Sequence, residues 1–258
     1  MAALSQELTS STYWEARWAK QARSAGWMEQ LRRFSMWKYD RMVRRMLDTA
    51  QLPNANVLEL GCAPGKILQR IHRLRPQLRL NGLDYAADGC RATTAILEKM
   101  GMPGRVYYGD ARTAELPIRF DLVMSVGLIE HFEDPCEIVR SHARFCRPGG
   151  NVAIAIPNFT TPVVKYFAEK FCPDNLAIHN LKIMNLSALE KACRDAGLVN
   201  VRVGGDGGSL LHRWISHRDM ASQSYAALAK LWNAFAILVP PQIGWHSNLW
   251  ATGQTPSA

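Results

Sequence analysis

Glycine, carboxylate and small side chains are concentrated in one decapeptide, residues 57–66, which reads VLELGCAPGK. Its apolar start is typical of a buried strand, and the apolar residues that follow recur at helical spacing. Gly61 and Gly65 permit tight backbone geometry and close approach of a ligand, because neither has a Cβ. A strand, a glycine turn and a helix N-terminus together predict a pocket of unpaired backbone N–H groups. Glu59, at the end of the strand, adds a hydrogen-bond acceptor to the same rim.

Phosphate is an obvious ligand for such a turn, and the residues argue against it. The phosphate-binding loop has four residues between its glycines and Ser or Thr after its lysine, whereas this turn has three residues and then Ile67. The dinucleotide fingerprint Gly-x-Gly-x-x-Gly fails at Ala63. A carboxylate in the turn also repels pyrophosphate, but it suits a cationic amine or sugar hydroxyls. This ligand profile predicts S-adenosylmethionine.

Two more acidic residues follow predicted strands. Asp84 ends a strand nineteen residues after Gly65, a separation at which a carboxylate can accept hydrogen bonds from both ribose hydroxyls. Asp110 follows the next strand, where it could accept from an adenine amino group. Because ligands of an open parallel sheet bind outside the carboxyl ends of its strands, these acids are expected to lie along one rim.

The turn Glu59-x-Gly61-x-x-x-Gly65, with the acids after it, resembles motif I and the later strand ends of class I S-adenosylmethionine-dependent methyltransferases, from Val57 to Pro157. The resemblance implies S-adenosylmethionine as cofactor, S-adenosylhomocysteine as product, and in-line methyl transfer that depends mainly on positioning. Ala63 stands where the family more often has glycine. The residues implied to bind the cofactor are Glu59, Gly61, Ala63, Gly65, Asp84, Tyr85, Asp110, Ala111 and Ser125.

Alternation of strand and helix patterns from Asn56 onward predicts an α/β fold with a doubly wound, mostly parallel seven-stranded sheet, the Rossmann-like methyltransferase fold. The predicted strands are residues 56–60, 78–84, 104–109, 119–126, 151–156, 199–203 and an antiparallel 246–252. Residues 51–258 would form the methyltransferase domain, with cap insertions at about 157–185 and 204–245.

Residues 1–50 are predicted to form a helical N-terminal lid. Thr12 and Glu15 have the spacing of a capping box that would start a helix, and a second helix is expected at about 27–50. In the family that the chain resembles, helices ahead of motif I commonly cover the cofactor. Tyr13 and Trp18 are therefore the lid candidates.

His131 is the candidate general base, since it follows the fourth predicted strand and histidine titrates near neutral pH. A histidine that only shapes the pocket wall is the alternative. His179, in the predicted cap, is a second candidate. Some quinone O-methyltransferases of this family bind a divalent metal through a Glu three residues before a Glu-His pair; that position is Gly127 here, which predicts no metal.

Composition bounds the setting of the chain. Its 258 residues carry a formal net charge of +9, so nucleic acid, an anionic small molecule or an acidic protein could exploit the surface. Six cysteines without a Cys-x-x-Cys pair, and no signal peptide, favour reduced thiols and a cytoplasmic protein. The apolar window 225–239 is shorter than the ~20 residues that span a membrane.

A small-molecule acceptor, aromatic or apolar, is the favoured substrate class, and a monomer or homodimer is expected. Nucleic-acid bases are disfavoured because the sequence after the fourth strand, Ser125-Val126-Gly127-Leu128, lacks the Asp/Asn-Pro-Pro-Tyr/Phe of amino-methylating enzymes. Two alternatives stay open. One is an S-adenosylmethionine-binding enzyme with non-methyl chemistry, and the other is an RNA-directed methyltransferase or non-catalytic partner subunit.

Overall fold

The computed structural model describes residues 6–22, 37–48, 54–207, 210, 215–216, 219–235 and 246–257. The predicted helix at 27–50 and the predicted cap insertion at 204–245 lie partly outside these residues. Everything below concerns the described ranges.

The strands of these ranges form a single sheet. They are β1 (Asn56–Leu60), β2 (Arg79–Asp84), β3 (Val106–Tyr108), β4 (Phe120–Val126), β5 (Cys146–Pro157), β6 (Val199–Asp206) and β7 (Asn248–Gln254). Their order is β3-β2-β1-β4-β5-β7-β6 in a seven-stranded sheet. All neighbours are parallel except β7, which is antiparallel to both β5 and β6. The predicted doubly wound, mostly parallel sheet is confirmed, together with its antiparallel last strand.

Helices cover the sheet and connect most of its strands. They are α1 (Ser11–Ala22), α2 (Trp37–Asp48), α3 (Lys66–Leu74), α4 (Ala87–Lys99), α5 (Pro135–Phe145), α6 (Pro162–Phe171), α7 (Pro173–Ala177), α8 (Leu186–Asp195) and α9 (Met220–Phe235). Single 3₁₀ turns occur at Ile129–His131 and Leu181–Ile183. The segment predicted as a cap at 157–185 therefore contains α6, α7 and the second 3₁₀ turn.

The sheet buries a hydrophobic core on each face. Successive side chains of a strand point to opposite faces, and β1 follows this rule: Leu58 and Leu60 belong to one buried cluster, whereas Val57 belongs to the other. Burial on both faces explains why the parallel strands are nearly continuous apolar runs.

The strand order reverses between β1 and β4, which pair with each other at the centre of the sheet. Connections leave these strands toward opposite sides, so a crevice opens outside their carboxyl ends. The glycine turn after β1 and the 3₁₀ turn Ile129–His131 after β4 lie at this crevice. The topology thus brings residues near 61–65 and 127–131 together.

Helix α1 packs against α4. The hydroxyl of Ser10 accepts a 3.2 Å hydrogen bond from Tyr13 N, so Ser10 caps α1 and the predicted capping box at Thr12 is wrong. Glu15 instead accepts hydrogen bonds from the backbone N–H groups of Ala87 (2.6 Å) and Asp88 (3.1 Å) at the start of α4. A carboxylate is favourable there because a helix N-terminus carries partial positive charge.

Strand β6 is longer than predicted. Gly204 and Gly205 both belong to the strand. These two positions require glycine because the rings of Trp250, on β7, and His246, just before β7, occupy the space that a Cβ would need. No helix in the described part of the chain combines the length and the apolar character required to cross a membrane.

Candidate active site

The turn between β1 and α3 satisfies its own backbone. Gly61 N donates to Leu83 O (2.8 Å), and Gly65 N donates to Cys62 O (2.7 Å). Both glycines have left-handed φ values, +68° and +80°, which glycine adopts readily. A Cβ on Gly61 would also lie 3.1 Å from the Leu128 side chain. The predicted set of unpaired N–H groups is therefore wrong at these two glycines, and their N–H groups are not available to a phosphate.

Asp84 ties the end of β2 to this turn. Its Oδ2 accepts a 2.9 Å hydrogen bond from Ala63 N, and its Oδ1 accepts a 2.9 Å hydrogen bond from Ala86 N. Burial raises the pKa of Asp84, while the hydrogen bonds from Ala86 and Ala63 oppose the shift. A carboxylate has about four acceptor positions, so Asp84 keeps acceptor capacity for a ligand in the cavity that it lines.

Glu59 lies behind the turn rather than in the cavity. Only 2% of the residue is exposed, and it is not among the described residues that line the cavity. Its side chain accepts a hydrogen bond from the Leu68 N–H in the first turn of α3, and burial raises its pKa well above the usual range. Because Glu59 is two residues from Val57, the two side chains point to the same face of β1, beneath α3.

The crevice between β1 and β4 contains a cavity of about 440 Å³. The structure brings most of the candidates from the sequence to its wall: Gly61, Ala63, Asp84, Tyr85, Asp110, Ala111, Trp18, His131 and His179. Four candidates are not part of that wall: Glu59, Gly65, Ser125 and Tyr13. Gly65 packs instead against Thr93 of α4, 3.1 Å from where its Cβ would lie.

Acidic side chains outnumber basic ones along the wall. Glu7, Asp84, Asp110 and Glu130 carry carboxyl groups, whereas Arg17 is the only Arg or Lys among the described lining residues. This balance is opposite to the net charge of the whole chain, +9. Burial raises the pKa of Glu130 to about 8, so it is mostly protonated at neutral pH. The remaining carboxyl groups still make the cavity suit a cationic or neutral ligand better than an anion.

Asp110 is held by an arginine. Arg112 Nε and Nη2 donate to its two carboxylate oxygens at 3.0 Å and 2.6 Å. Burial raises the pKa of Asp110, but the hydrogen bonds and charge of Arg112 outweigh burial and lower it. Glu7 accepts a hydrogen bond from the Tyr85 hydroxyl and lies 3.6 Å from Arg112 Nη2. Residues from three separate segments of the chain are thus linked to one another beside the cavity.

Helix α1 supplies an aromatic wall. The rings of Trp14 and Trp18 stack with centroids 5.5 Å apart, and the Arg17 guanidinium lies 5.1 Å from the Trp14 ring centroid. Arg17 Nη1 donates to the Tyr13 hydroxyl at 2.7 Å. Trp18 lies on the cavity wall as a lid residue would, while Tyr13 holds Arg17 from outside the wall.

Ser125 joins two elements of the fold. Its hydroxyl is 2.9 Å from Nε2 of His142, whose Nδ1 is 2.7 Å from the Ile138 carbonyl oxygen. Nδ1 therefore carries the proton and donates to the carbonyl, and Nε2 accepts from Ser125. Both side chains are fully buried, and burial lowers the pKa of His142 to about 4. Ser125 thus connects β4 to α5.

His131 and His179 face each other on the cavity wall, with ring centroids 4.5 Å apart. His131 Nδ1 is 2.8 Å from the Ile178 carbonyl oxygen, and His179 Nδ1 is hydrogen-bonded to the Asn175 carbonyl. Burial, with a smaller effect of His179, lowers the pKa of His131 to about 3. Burial lowers the pKa of His179 to about 4. Both rings are neutral at neutral pH.

Glu130 is buried directly beside this pair. The residue is 1% exposed, and its Oε2 has no hydrogen-bond partner among the described residues. Burial raises the pKa of Glu130 to about 8. A buried carboxyl oxygen without a partner is costly, so this atom points to an interaction that the protein alone does not supply.

A family described as "Methyltransferase domain" has a model that matches residues 27–203. The chain belongs to this family. The match includes β1 to β5, and therefore the glycine turn, Asp84, Asp110 and the Glu130–His131 pair of the cavity.

Relatives of the methyltransferase domain include a ubiquinone biosynthesis O-methyltransferase of Xanthomonas campestris pv. campestris (strain B100). It is 30% identical over 111 residues, which cover 42% of this chain and 46% of that protein. The match thus spans less than half of that relative's length.

Solved structures share the fold. A putative methyltransferase from Bacillus halodurans C-125 has a TM-score of 0.59 at 16% identity and covers 83% of this chain and 99% of its own. Phosphoethanolamine N-methyltransferase 2 of Haemonchus contortus, solved with phosphomonomethylethanolamine and S-adenosylhomocysteine, has a TM-score of 0.57 at 16% identity and covers 83% of this chain and 52% of its own. At such identities the likeness shows the fold alone.

Several residues of the cavity wall were not predicted as site residues from the sequence. Trp14 is four residues before Trp18, a spacing that puts both on one helix face, so it could have been found. Glu130 is adjacent to the candidate His131. Glu7 and Asn175 carry no comparable pattern, because only the folded chain brings them to the wall.

Proposed function

We propose that this methyltransferase domain transfers the methyl group of S-adenosylmethionine to a small-molecule acceptor held in the cavity. The observation that carries the proposal is an acid-lined cavity at the strand-order reversal, beside a glycine turn whose glycine N–H groups are bonded internally. Such a wall favours a sulfonium nucleoside over a phosphate ligand. The family match to a methyltransferase domain supports the same reading.

Residues at the β1 and β2 ends would hold the cofactor. Asp84 would accept hydrogen bonds from the ribose, Tyr85 and Ala111 would flank the adenine, and Gly61 and Ala63 would leave room for the chain of the amino acid. Asp110 would contribute through its fixed, ionised carboxylate. Glu59, Gly65 and Ser125 would act from behind the wall, by holding the turn and neighbouring elements in place. S-adenosylmethionine supplies a methyl group bonded to a sulfonium sulfur. The leaving group of the transfer is the neutral thioether, S-adenosylhomocysteine.

The part of the wall around His131 and His179, here termed the acceptor end, would hold the acceptor. Its wall includes the apolar side chains of Leu128, Ile156, Phe159 and Val164. The two neutral imidazoles add hydrogen-bonding atoms without adding charge. An apolar or aromatic acceptor with a hydroxyl or amine group fits this wall, and an anionic acceptor would meet more carboxyl groups than cations.

Positioning would supply most of the catalysis. Holding donor and acceptor in reactive geometry can lower a barrier by ~7–11 kcal/mol. The low pKa of His131, about 3, makes its imidazole a weak base at neutral pH. We therefore assign His131 to contact the acceptor and orient its reacting atom, with proton uptake a minor part of its role. His179 would complete the same end of the wall.

The N-terminal segment and the cap would close the cavity. Helix α1 contributes Trp14, Arg17 and Trp18, and the cap contributes Asn175, Ile178 and His179 to the wall, in keeping with residues 1–50 as a lid on a domain formed by 51–258. All six cysteines are free thiols, which fits a cytoplasmic protein. A monomer or homodimer acting on a small molecule, without nucleic acid, is part of the same proposal.

Labelled cofactor tests the proposal directly. Purified protein is incubated with S-adenosylmethionine carrying an isotopic methyl group and with a fractionated small-metabolite extract, and products are identified by mass spectrometry. We expect S-adenosylhomocysteine together with a labelled small molecule, and less of both products from the Asp84→Ala variant when the cofactor concentration is near the wild-type Kd. Turnover of extract components without S-adenosylhomocysteine would indicate non-methyl chemistry, and label found only in added RNA would indicate an RNA-directed enzyme; either result contradicts the proposal.

A further inference from the structure

We propose that Glu130, His131 and His179 form a binding site for a divalent transition-metal ion at the acceptor end of the cavity. One ligand atom from each residue lies within 4.8 Å of the other two. A metal with bonds of roughly 2.1 Å holds its ligands roughly 3 Å apart, so small side-chain rotations would bring all three atoms to one ion. All three residues line the cavity, which leaves further coordination positions open to a ligand.

Both histidines are oriented for coordination by their second nitrogen. Nδ1 of His131 lies 2.8 Å from the Ile178 carbonyl oxygen, and Nδ1 of His179 is bonded to the Asn175 carbonyl. A carbonyl accepts only, so each Nδ1 must carry the proton, which leaves each Nε2 with its lone pair. Histidines that ligate metals almost always donate their other N–H in this way.

Aromatic contacts hold the two rings in place. The His131 ring meets Trp14 edge to face at 5.1 Å, and the His179 ring meets Phe159 in the same manner at 5.1 Å. Rings fixed by packing and by a hydrogen bond lose little conformational freedom when they bind an ion. The two rings are therefore held close to each other although their residues are far apart in the sequence, and only small rotations remain to be made when an ion binds.

Glu130 supplies the charge that the site needs. Its Oε2 is buried, with no hydrogen-bond partner among the described residues. A cation would satisfy this oxygen and would also compensate its burial. Arg17 lies on the same cavity wall, and its positive charge opposes a metal ion; Glu130 would release its proton on binding the ion, and its negative charge would offset that repulsion.

The ligand set selects the class of metal. Two imidazoles and one carboxylate suit Zn²⁺, Fe²⁺, Co²⁺ or Mn²⁺ and leave positions open for a substrate. Mg²⁺ and Ca²⁺ prefer oxygen ligands, so we expect both to bind poorly. Gly127, at the position of the metal-binding Glu of some quinone O-methyltransferases, predicted no metal. The third ligand is instead His179, from the segment predicted as a cap, and sequence spacing does not reveal it.

A role for the ion in the reaction rests on the proposed function, with His131 orienting the acceptor through the bound ion instead of touching it directly. A hydroxyl oxygen of the acceptor on an open position would lose its proton to solvent more easily, because a bound cation lowers the pKa of such a group. The resulting oxygen nucleophile would form the new O–C bond as the S–C bond of the sulfonium breaks. Metal binding itself does not depend on this role.

Cobalt is the probe for the test. Untagged protein is stripped with EDTA and titrated with Co²⁺, and its visible absorption is followed; Zn²⁺, Mg²⁺ and Ca²⁺ then compete for the site. We expect one Co²⁺ per chain with nitrogen and oxygen ligation, displaced by Zn²⁺ and not by Mg²⁺ or Ca²⁺. The variants His179→Leu and Glu130→Gln should each weaken binding at least about tenfold.

A matched control is His72→Leu, which removes a half-buried histidine of α3 outside the cavity wall and should keep wild-type affinity. Glu130→Gln is nearly isosteric, so it carries the test even where His179→Leu lowers the thermal unfolding midpoint. Equal affinity in the wild type and Glu130→Gln, a thiolate absorption band, or displacement by Mg²⁺ would overturn the metal site. Binding of S-adenosylhomocysteine, measured by calorimetry on the same metal-free samples, reports separately on the proposed function.

Discussion

The carboxylate of Asp84, at the end of β2, accepts a 2.9 Å hydrogen bond from the backbone N–H of Ala63, in the turn after β1. One side chain therefore both shapes the glycine turn and faces the cavity. A substitution at Asp84 must act on the loop and on the ligand together.

Asp84→Ala should weaken binding of S-adenosylmethionine by about 1–3 kcal/mol, because buried hydroxyls of the ligand would lose a charged acceptor. Titration calorimetry with the cofactor and with S-adenosylhomocysteine measures the change. Asp195→Ala, on exposed α8, is the matched control and should bind as the wild type does. Wild-type affinity in Asp84→Ala would remove Asp84 from the site.

His131→Ala should lower kcat while the affinity for the cofactor changes less than about twofold. His131 is assigned mainly to orienting the acceptor, and even a positioned proton acceptor contributes only about 10²–10⁴-fold, so we expect a loss no larger than about 10²-fold. Single-turnover kinetics with saturating cofactor checks this split. Undiminished turnover would mean that His131 only shapes the wall.

Glu15→Ala should loosen α1. The side chain accepts hydrogen bonds from the first N–H groups of α4, and comparable helix-capping contacts contribute about 0.5–2 kcal/mol. Hydrogen exchange of residues 11–22 should become faster, and affinity for the cofactor should fall because Trp18 loses its fixed place on the wall. Glu98→Ala, an exposed position of α4, should leave exchange in α1 unchanged; equal exchange in both variants would contradict the docking role.

His142 makes the free energy of unfolding depend on pH. Its pKa is about 4 in the folded protein and about 6.5 when unfolded, so the unfolded chain binds the proton first. The stability that comes from keeping His142 neutral is complete above the unfolded pKa and is lost as the pH falls toward the folded one. When the pH is lowered from 7 to 5, the free energy of unfolding of His142→Gln, measured with denaturant, should fall by about 2 kcal/mol less than that of the wild type. Parallel losses in the two proteins would show that His142 is protonated without cost.

The strands of the sheet could be predicted from the sequence because β1 to β4 are short, largely apolar segments that each end in an acidic residue or are followed by glycine. The prediction that Glu59 lines the ligand site was wrong, and the sequence already held the reason. Glu59 is two residues from Val57, so its side chain lies on the same buried face of β1, under α3. Its nearness to the glycines drew attention to the rim, whereas the pleat of the strand decides its direction.

The acceptor end could not be derived in this way. His131 follows β4, but His179 lies 48 residues later, after α6 and α7, and meets His131 only in the folded chain. Neither hydrophobic period nor motif spacing encodes that meeting. Ser125 is the opposite case. Its hydroxyl lies near the end of β4, where a cofactor contact was predicted, but it is hydrogen-bonded to His142.

The acidic cavity inside a chain of net charge +9 also bears on how fast a ligand arrives. S-adenosylmethionine is a net cation at neutral pH, so at long range it is repelled by the protein as a whole and attracted only near the mouth. Dissolved salt screens the distant repulsion within about 10 Å at 0.1 M. Higher ionic strength should therefore accelerate association, the reverse of what is seen when an enzyme steers its substrate electrostatically.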